Sequence, residues 1–354
     1  MNHKFLIIGC GISGISFSWQ LKKSNLDFKI IDPCLQNSSS FIAGGLINPI
    51  TGRKYNLQWN IHELLKHAHT KYLELEEHLK VPILKEINIL KIHKSASGNK
   101  EWEEEKKKKN PHLLNFIDEN FNSDYFRNIL YCESGGIIIK NGLQINTRSL
   151  ISAYQKKLIS ENKLLQQEFK PNDLNASEEE IVYNNETFSH IIFCDGIHAL
   201  QNQYFNRIPF KPAKGECFIL EINELPDTYT YHKGVILIPF EKNIFWAGAT
   251  NTWDDLSASP NAAGKKELET QLKELLKIPY KILEHKTAIR PTIKDRSPVV
   301  GQHPVYRNIF ILNGMGTKGM SLAPYYAEIL LQHILTGDPI PKEANVVRFA
   351  QHLK

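Results

Sequence analysis

A chain of 354 residues with 42% hydrophobic and 23% charged residues is not disordered. At this length it buries roughly 75% of its unfolded surface, so it needs no staples. A net charge of +5, from 43 basic and 38 acidic residues, permits an anionic partner without requiring one. Five scattered cysteines with no CxxC pair exclude a disulfide scaffold and a zinc ribbon.

Residues 1–4 are short and polar, residues 5–8 form only a four-residue apolar run, and no small-residue cleavage site follows. The start is therefore not read as a secretion signal. No apolar run approaches the roughly 18 residues of a membrane span. The expectation is a soluble cytoplasmic protein with reduced thiols.

Residues 5–8 predict a buried parallel strand. Gly9-Cys10-Gly11-Ile12-Ser13-Gly14 then matches GxGxxG, residues 15–23 predict a helix, and residues 28–31 predict a second strand ending at Asp32. Strand, glycine turn, helix, strand, acid is the dinucleotide-binding order. Gly9 allows the tight turn, Gly11 lets backbone approach a pyrophosphate, and Gly14 lets the helix pack on the strand. The helix start, at Ile12 and Ser13, presents free N–H groups and a positive dipole end to phosphate. Asp32, 18 residues beyond Gly14, is placed to accept hydrogen bonds from an adenosine ribose. An acid there repels a 2′-phosphate, so an NADP-type ligand is disfavoured. The competing reading is a glycine turn without ligand.

A Ser/Asn-rich loop at 37–40 leads into Ala43-Gly44-Gly45. Residues 62–80 predict a helix with Leu64, Leu65, Ala68, Tyr72, Leu75 and Leu79 on one face, and residues 83–93 predict a strand. Residues 100–109 are almost all charge and are read as a solvated helix face or loop. An RNA-contacting patch competes, weakened because Glu101, Glu103, Glu104 and Glu105 precede the lysines. Residues 147–160 predict a helix, and residues 190–194 a buried strand closed by Asp195-Gly196. Residues 218–250 read as β-strands with little helix, and residues 264–276 as a short helix. A last buried strand at 308–312 runs into Asn313-Gly314-Met315-Gly316-Thr317-Lys318-Gly319 and a helix at 321–335.

Four motifs, in order, resemble the D-amino-acid oxidase superfamily of flavoproteins, which includes glycine oxidase and sarcosine oxidase. The first is the fingerprint with Asp32. The second runs from Ser38-Ser39-Ser40 through Ala43-Gly44-Gly45-Leu46 to Pro49, similar to a family loop that lies against the flavin ring. The third, Arg290-Pro291-Thr292-Ile293-Lys294-Asp295-Arg296-Ser297-Pro298-Val299-Val300-Gly301, resembles an RPxxxDxxPxxG segment. The fourth is the 314–319 glycine loop with Leu322-Ala323-Pro324. Cys194-Asp195-Gly196, and Pro239 through Gly248-Ala249-Thr250, are weaker matches. The resemblance spans residues 5–324.

It implies an α/β fold: a Rossmann-like FAD-binding domain (1–82, 140–212 and 286–354) with an interleaved β-rich α+β substrate domain (83–139 and 213–285). It implies oxidation of a C–N bond in an amine or amino acid, by hydride transfer to flavin N5 and imine hydrolysis. Arg290 is then the clamp for a substrate carboxylate, since a guanidinium binds bidentately. A structural bridge to Asp295 competes. Gly316, Thr317 and Gly319 would aim backbone N–H groups at the reduced flavin, and Gly314 is counted with them among the cofactor-binding residues. Lys318 adds charge there or points to solvent. Arg53 approaches the substrate side or is a plain surface arginine. Tyr229 and Tyr231 cover the pocket or merely pack. Some relatives hold flavin covalently through a cysteine near the arginine segment. Here the nearest along the chain is distant Cys217, so non-covalent FAD is expected. No histidine pattern suggests a metal.

Within the superfamily, the 314–324 segment is similar to the flavin half of the bifunctional enzyme that finishes 5-methylaminomethyl-uridine at the tRNA wobble position. Residues 48–53 are read as an extension marking a stand-alone relative. tRNA therefore stands as a possible partner, beside a small amine substrate and beside a flavin-binding protein without turnover. An NAD-dependent dehydrogenase shares the fingerprint but not the Arg290 or Gly314 segments.

Overall fold

A computed structural model describes residues 4–52, 55–107, 111–177 and 180–353. It contains two main sheets. The first has six strands, in the order Val299–Gln302, Ile309–Asn313, His190–Phe193, Lys4–Ile8, Asp27–Ile31 and Leu164–Leu165. All pairings are parallel except that of Val299–Gln302. The strands are mainly apolar because both faces are covered, with polar residues mostly at their ends and Lys29 paired to Glu186. Phe5 and Ile7 pack under the helices Ile12–Lys23, Thr147–Ser160 and Gly319–Thr336. Leu6 and Ile8 pack under a three-stranded meander containing Ile181, Tyr183 and Phe188.

The second sheet runs Lys281–Arg290, Ala213–Glu221, Ile244–Gly248, Val235–Glu241, Tyr229–Lys233, Leu84–Ile92, Gly136–Ile145 and Leu46–Ile47. Its one parallel pairing in this path joins Tyr229–Lys233 to Leu84–Ile92. Strand alternation divides its residues between two faces. Phe218, Leu220, Phe245 and Ala247 pack with Leu268, Leu272 and Leu275 of the helix Ala262–Leu275. Cys217, Ile219 and Trp246 face the other way, toward the first sheet.

The sheets are assembled from alternating chain segments. The expected division points at 139/140 and 285/286 fall inside the strands Gly136–Ile145 and Lys281–Arg290. Leu46–Ile47, expected with the nucleotide-binding part, is instead an edge strand of the second sheet. The charged stretch near 100–109 contains the helix Ala96–Lys107. Glu101, Glu103 and Glu104 are exposed, but Trp102 is 2% exposed and its indole donates to Glu119 Oε1 at 3.0 Å. One aromatic residue docks the helix, against Tyr55. Lys108 and Lys109 lie outside the described residues. Among the described residues, no helix is long and apolar enough to cross a membrane.

Candidate active site

The two sheets enclose a cavity of about 1140 Å³. Its floor is the glycine turn between the first strand and first helix. Gly9 has φ +100°, and a β-carbon there would meet Cys194 O. A β-carbon on Gly14 would overlap Gly9 O, so Gly14 closes the helix onto the strand from behind the cavity rather than lining it. Gly11, Ile12 and Ser13 line the cavity. The helix has no acid in its first turn and no cap from Gly11 itself, so its positive end faces the cavity.

Asp32 is held by the turn it serves. Its Oδ2 accepts from Cys10 N–H and its Oδ1 from Cys34 N–H, each at 2.6 Å. Each oxygen keeps a further lone pair for a ribose. Ser40 Oγ accepts from Ile12 N–H at 3.0 Å and so ties the 37–46 loop to the phosphate turn. Ser39, Ala43, Gly44, Gly45 and Leu46 continue the wall. A methyl on Gly44 would meet Ile238 Cδ1 at 2.5 Å and the Trp246 ring at 2.9 Å, and one on Gly45 would overlap Ile145 O. Trp246 Nε1 donates to Ile42 O at 2.9 Å, which locks this loop to the second sheet.

Cys194, Asp195 and Gly196 lie on the opposite wall. The Asp195 carboxylate accepts from Asn202 Nδ2 and Asn313 Nδ2, both at 2.9 Å. Burial pushes its carboxyl up to about 6, against the opposing pull of these amides. Asn313 thereby couples this wall to the glycine loop before the last helix. Gly316, Thr317, Lys318 and Gly319 of that loop line the cavity. Gly314 does not: it has φ +75° and packs behind, where a β-carbon would meet Ile293.

Arg290, on the last strand of the second sheet, reaches the cavity. Its Nη1 donates to Thr250 O at 3.3 Å and Asn251 Oδ1 at 3.2 Å. The guanidinium occupies the space where a β-carbon of Gly215 would sit. The bridge to Asp295 does not form, because Asp295 pairs with Arg348 Nε at 3.0 Å. Among the described residues no carboxylate pairs with Arg290.

Three expectations need correction or lie beyond view. Tyr231 is 0% exposed on the helix-covered face, packed edge-on against Phe126, and its O–H donates to Pro226 O at 2.7 Å. Tyr229 packs in the same cluster. Strand alternation instead sends His232 to the cavity. Arg53 lies outside the described residues. Cys217, distant from Arg290 along the chain, lines the same cavity. Burial pushes its thiol up to about 12, so it carries little nucleophilic thiolate at neutral pH.

His232 was not singled out from the sequence, although period-two alternation beside Tyr231 carries the signal. Burial pushes its imidazole down to about 4, with Lys91 and Lys94 adding to the effect, so it is neutral at pH 7. Its buried Nδ1 has no partner among the described residues. Gln58, also missed, lines the cavity and donates to Ser321 Oγ at 3.1 Å. Among the described residues no group of three or more His, Cys, Asp or Glu is arranged to hold a metal.

This architecture is that of a flavin-dependent oxidoreductase. Residues 4–333 match the family described as FAD dependent oxidoreductase, and the chain belongs to that family. It is 31% identical to the glycine oxidase of Bacillus licheniformis over 159 residues, covering 44% of this chain and 43% of that protein. It is 26% identical over 159 residues to the tRNA 5-methylaminomethyl-2-thiouridine biosynthesis bifunctional protein MnmC of Idiomarina loihiensis, covering 43% and 26%. These matches span less than half the length of each relative. In fold, it is similar to iminodiacetate oxidase from Chelativorans sp. BNC1, with TM-score 0.78, 18% identity and coverage of 96% and 98%. Glycine oxidase from Geobacillus kaustophilus gives TM-score 0.78, 18% identity and 96% of both chains.

FAD is the family's cofactor, and the residues present fit it. The helix start, with no acid in its first turn, suits its diphosphate, Asp32 its ribose, and the glycine-lined wall at 43–46 the close approach of a flat ring.

Proposed function

We propose that this protein oxidises the C–N bond of an amine or amino acid that carries a carboxylate. The observation that carries the reading is Arg290, a cation without an acidic partner among the described residues, in the same cavity as the dinucleotide turn. Such a guanidinium is stabilised by an incoming carboxylate in a bidentate pair. FAD, when bound, supplies the acceptor for the hydride.

The chain's residues do the positioning. Arg290 fixes the carboxylate end, so the carbon next to nitrogen is presented in one orientation. His232, uncharged at neutral pH, offers the substrate nitrogen a hydrogen-bond acceptor without cationic repulsion. Lys318 and the N–H groups opening the helix Gly319–Thr336 supply positive potential where negative charge develops. Loss of hydride leaves a C=N bond, which water then hydrolyses.

The test is an anaerobic titration of the purified yellow protein with glycine, sarcosine, D-amino acids and proline. The 450-nm region of the flavin spectrum should bleach with at least one of them. Failure with every amine, in a protein that retains FAD, would support a binding role without turnover. A related expectation concerns attachment. Acid precipitation should leave all the flavin in the supernatant, because the Cys217 thiol is poorly ionised. Yellow pellets would overturn non-covalent binding.

A second reading, action on a wobble-uridine side arm of tRNA, is favoured by similarity to the bifunctional protein of Idiomarina loihiensis and by the Gly316–Pro324 stretch of sequence. It requires binding to bulk tRNA that weakens as salt rises. Absence of binding at low salt removes this version and leaves the small-amine reading standing.

A further inference from the structure

Behind the wall that carries Arg290 lies a charge cluster, buried at Lys214 and Glu216, that the chemistry does not touch. Lys214 and Glu216 flank Gly215 on one strand and point to its opposite face, with 0% and 2% exposure. Lys214 Nζ donates to Asp255 Oδ2 at 2.6 Å, Ser259 O at 2.7 Å and Ser257 Oγ at 3.0 Å. All three ammonium hydrogens are therefore spent on one loop. Glu216 Oε1 lies 3.4 Å from the same ammonium, and its Oε2 is 2.7 Å from His285 Nε2. Glu216 also accepts from Asn261 N–H, at the start of the helix Ala262–Leu275.

The loop pinned in this way is the continuation of the segment that grips Arg290. Lys214 N–H donates to Thr252 O at 2.8 Å, and Thr252 N–H donates back to Lys214 O at 3.0 Å. Thr250 N–H donates to Glu216 O at 3.1 Å, and Glu216 N–H donates to Thr250 Oγ1 at 2.9 Å. Between these paired residues sit both supports of the guanidinium: the bare surface of Gly215, and the acceptors Thr250 O and Asn251 Oδ1. Beyond them, Ala258 of the pinned loop lines the cavity.

An ion pair with one partner buried and the other, Asp255, 35% exposed adds little net stability. What it supplies is fixed geometry. We propose that Lys214 and Asp255 are positioning residues: their ion pair fastens the 250–259 loop to the Gly215 strand and so sets the Arg290 guanidinium for carboxylate binding. The inference rests on the reading of Arg290 as the carboxylate clamp.

The test uses FAD-loaded protein and flavin absorbance, titrated with acetate and, as the uncharged match, acetamide. Wild type, Arg290→Met, Lys214→Met and Asp255→Asn are compared. Asp255→Asn keeps the loop's shape and stands in where Lys214→Met fails to fold. The expected result is acetate binding weakened by about 10- to 100-fold in the Lys214 and Asp255 variants, the scale of a small misplacement, with acetamide unchanged. Wild-type acetate affinity in both variants, while Arg290→Met has lost it, overturns this inference alone. Equal weakening of acetate and acetamide also overturns it, since that marks general loosening. A wild type blind to acetate, or an Arg290→Met variant that keeps its affinity, sinks the carboxylate reading and this inference with it.

Discussion

Replacing Arg290 with methionine should lower kcat/KM for a carboxylate-bearing amine by about 10²- to 10³-fold. Removing one member of a desolvated charged pair costs roughly 2–5 kcal/mol, and about 1.4 kcal/mol is a factor of ten. Most of the loss should fall on KM, because the clamp grips the substrate before and during reaction alike. The corresponding amide, which gives the guanidinium no anion to pair with, should lose far less. Arg290→Lys should recover part of the charge effect but not the bidentate fit. Gly215→Ala gives an independent route to the same outcome, because the added methyl would stand within the guanidinium and displace it. Steady-state kinetics on the acid and its amide decide the matter. Equal losses on both substrates would remove Arg290 from the carboxylate role.

Gly14→Ala should abolish stoichiometric FAD and cost about 3 kcal/mol of stability, at the severe end of overpacking. The contact at fault is with backbone: the new β-carbon would overlap Gly9 O and lie 3.0 Å from Gly9 C. Neither atom moves without shifting the phosphate turn, and Gly9 is itself pressed against Cys194 O. Relief therefore requires the first helix to lift off the first strand. Bound flavin per chain and the urea midpoint are the measurements. A variant with full flavin and wild-type stability would show that the close packing at Gly14 is dispensable.

The dinucleotide part was legible because its signals are local. An apolar run bounded by glycine, a helix start and an acid after the next strand all lie within one stretch of chain. The helix Thr147–Ser160 matches its expected bounds for a similar reason, as Asn146 caps it and Leu150, Ile151, Tyr154 and Leu158 form its buried face. Legibility failed where position depends on what packs above a strand. Tyr231 and His232 are both plausible pocket residues until the helix Ala262–Leu275 claims one face of their sheet. Cys217 looked remote from Arg290 because register, not chain distance, sets sheet neighbours. Cys217 pairs with Lys286, four residues before Arg290 on the neighbouring strand. The acceptors escaped notice for different reasons: that of Thr250 is a backbone carbonyl, which every residue has, and that of Asn251 is a lone side-chain amide oxygen in a loop without periodicity. The docking role of Trp102 was hidden by the surrounding charge.

The first strand has neighbours made at very different times. Leu6 aligns beside Lys29 on one side and Ile191 on the other, and Ile192 in turn aligns beside Phe310. At roughly 5–20 residues per second of synthesis, a strand begun at the N-terminus waits on the order of tens of seconds for its later partners. Until then the Lys4–Ile8 strand has one sheet edge open and lacks the Gly319–Thr336 helix over its face. Long-range pairing of this kind folds slowly. The glycine turn that follows this strand, though early in sequence, is thus among the last parts to be fully supported. Flavin should accordingly be captured late, on a nearly complete chain, and until then the nascent protein exposes apolar strand edges.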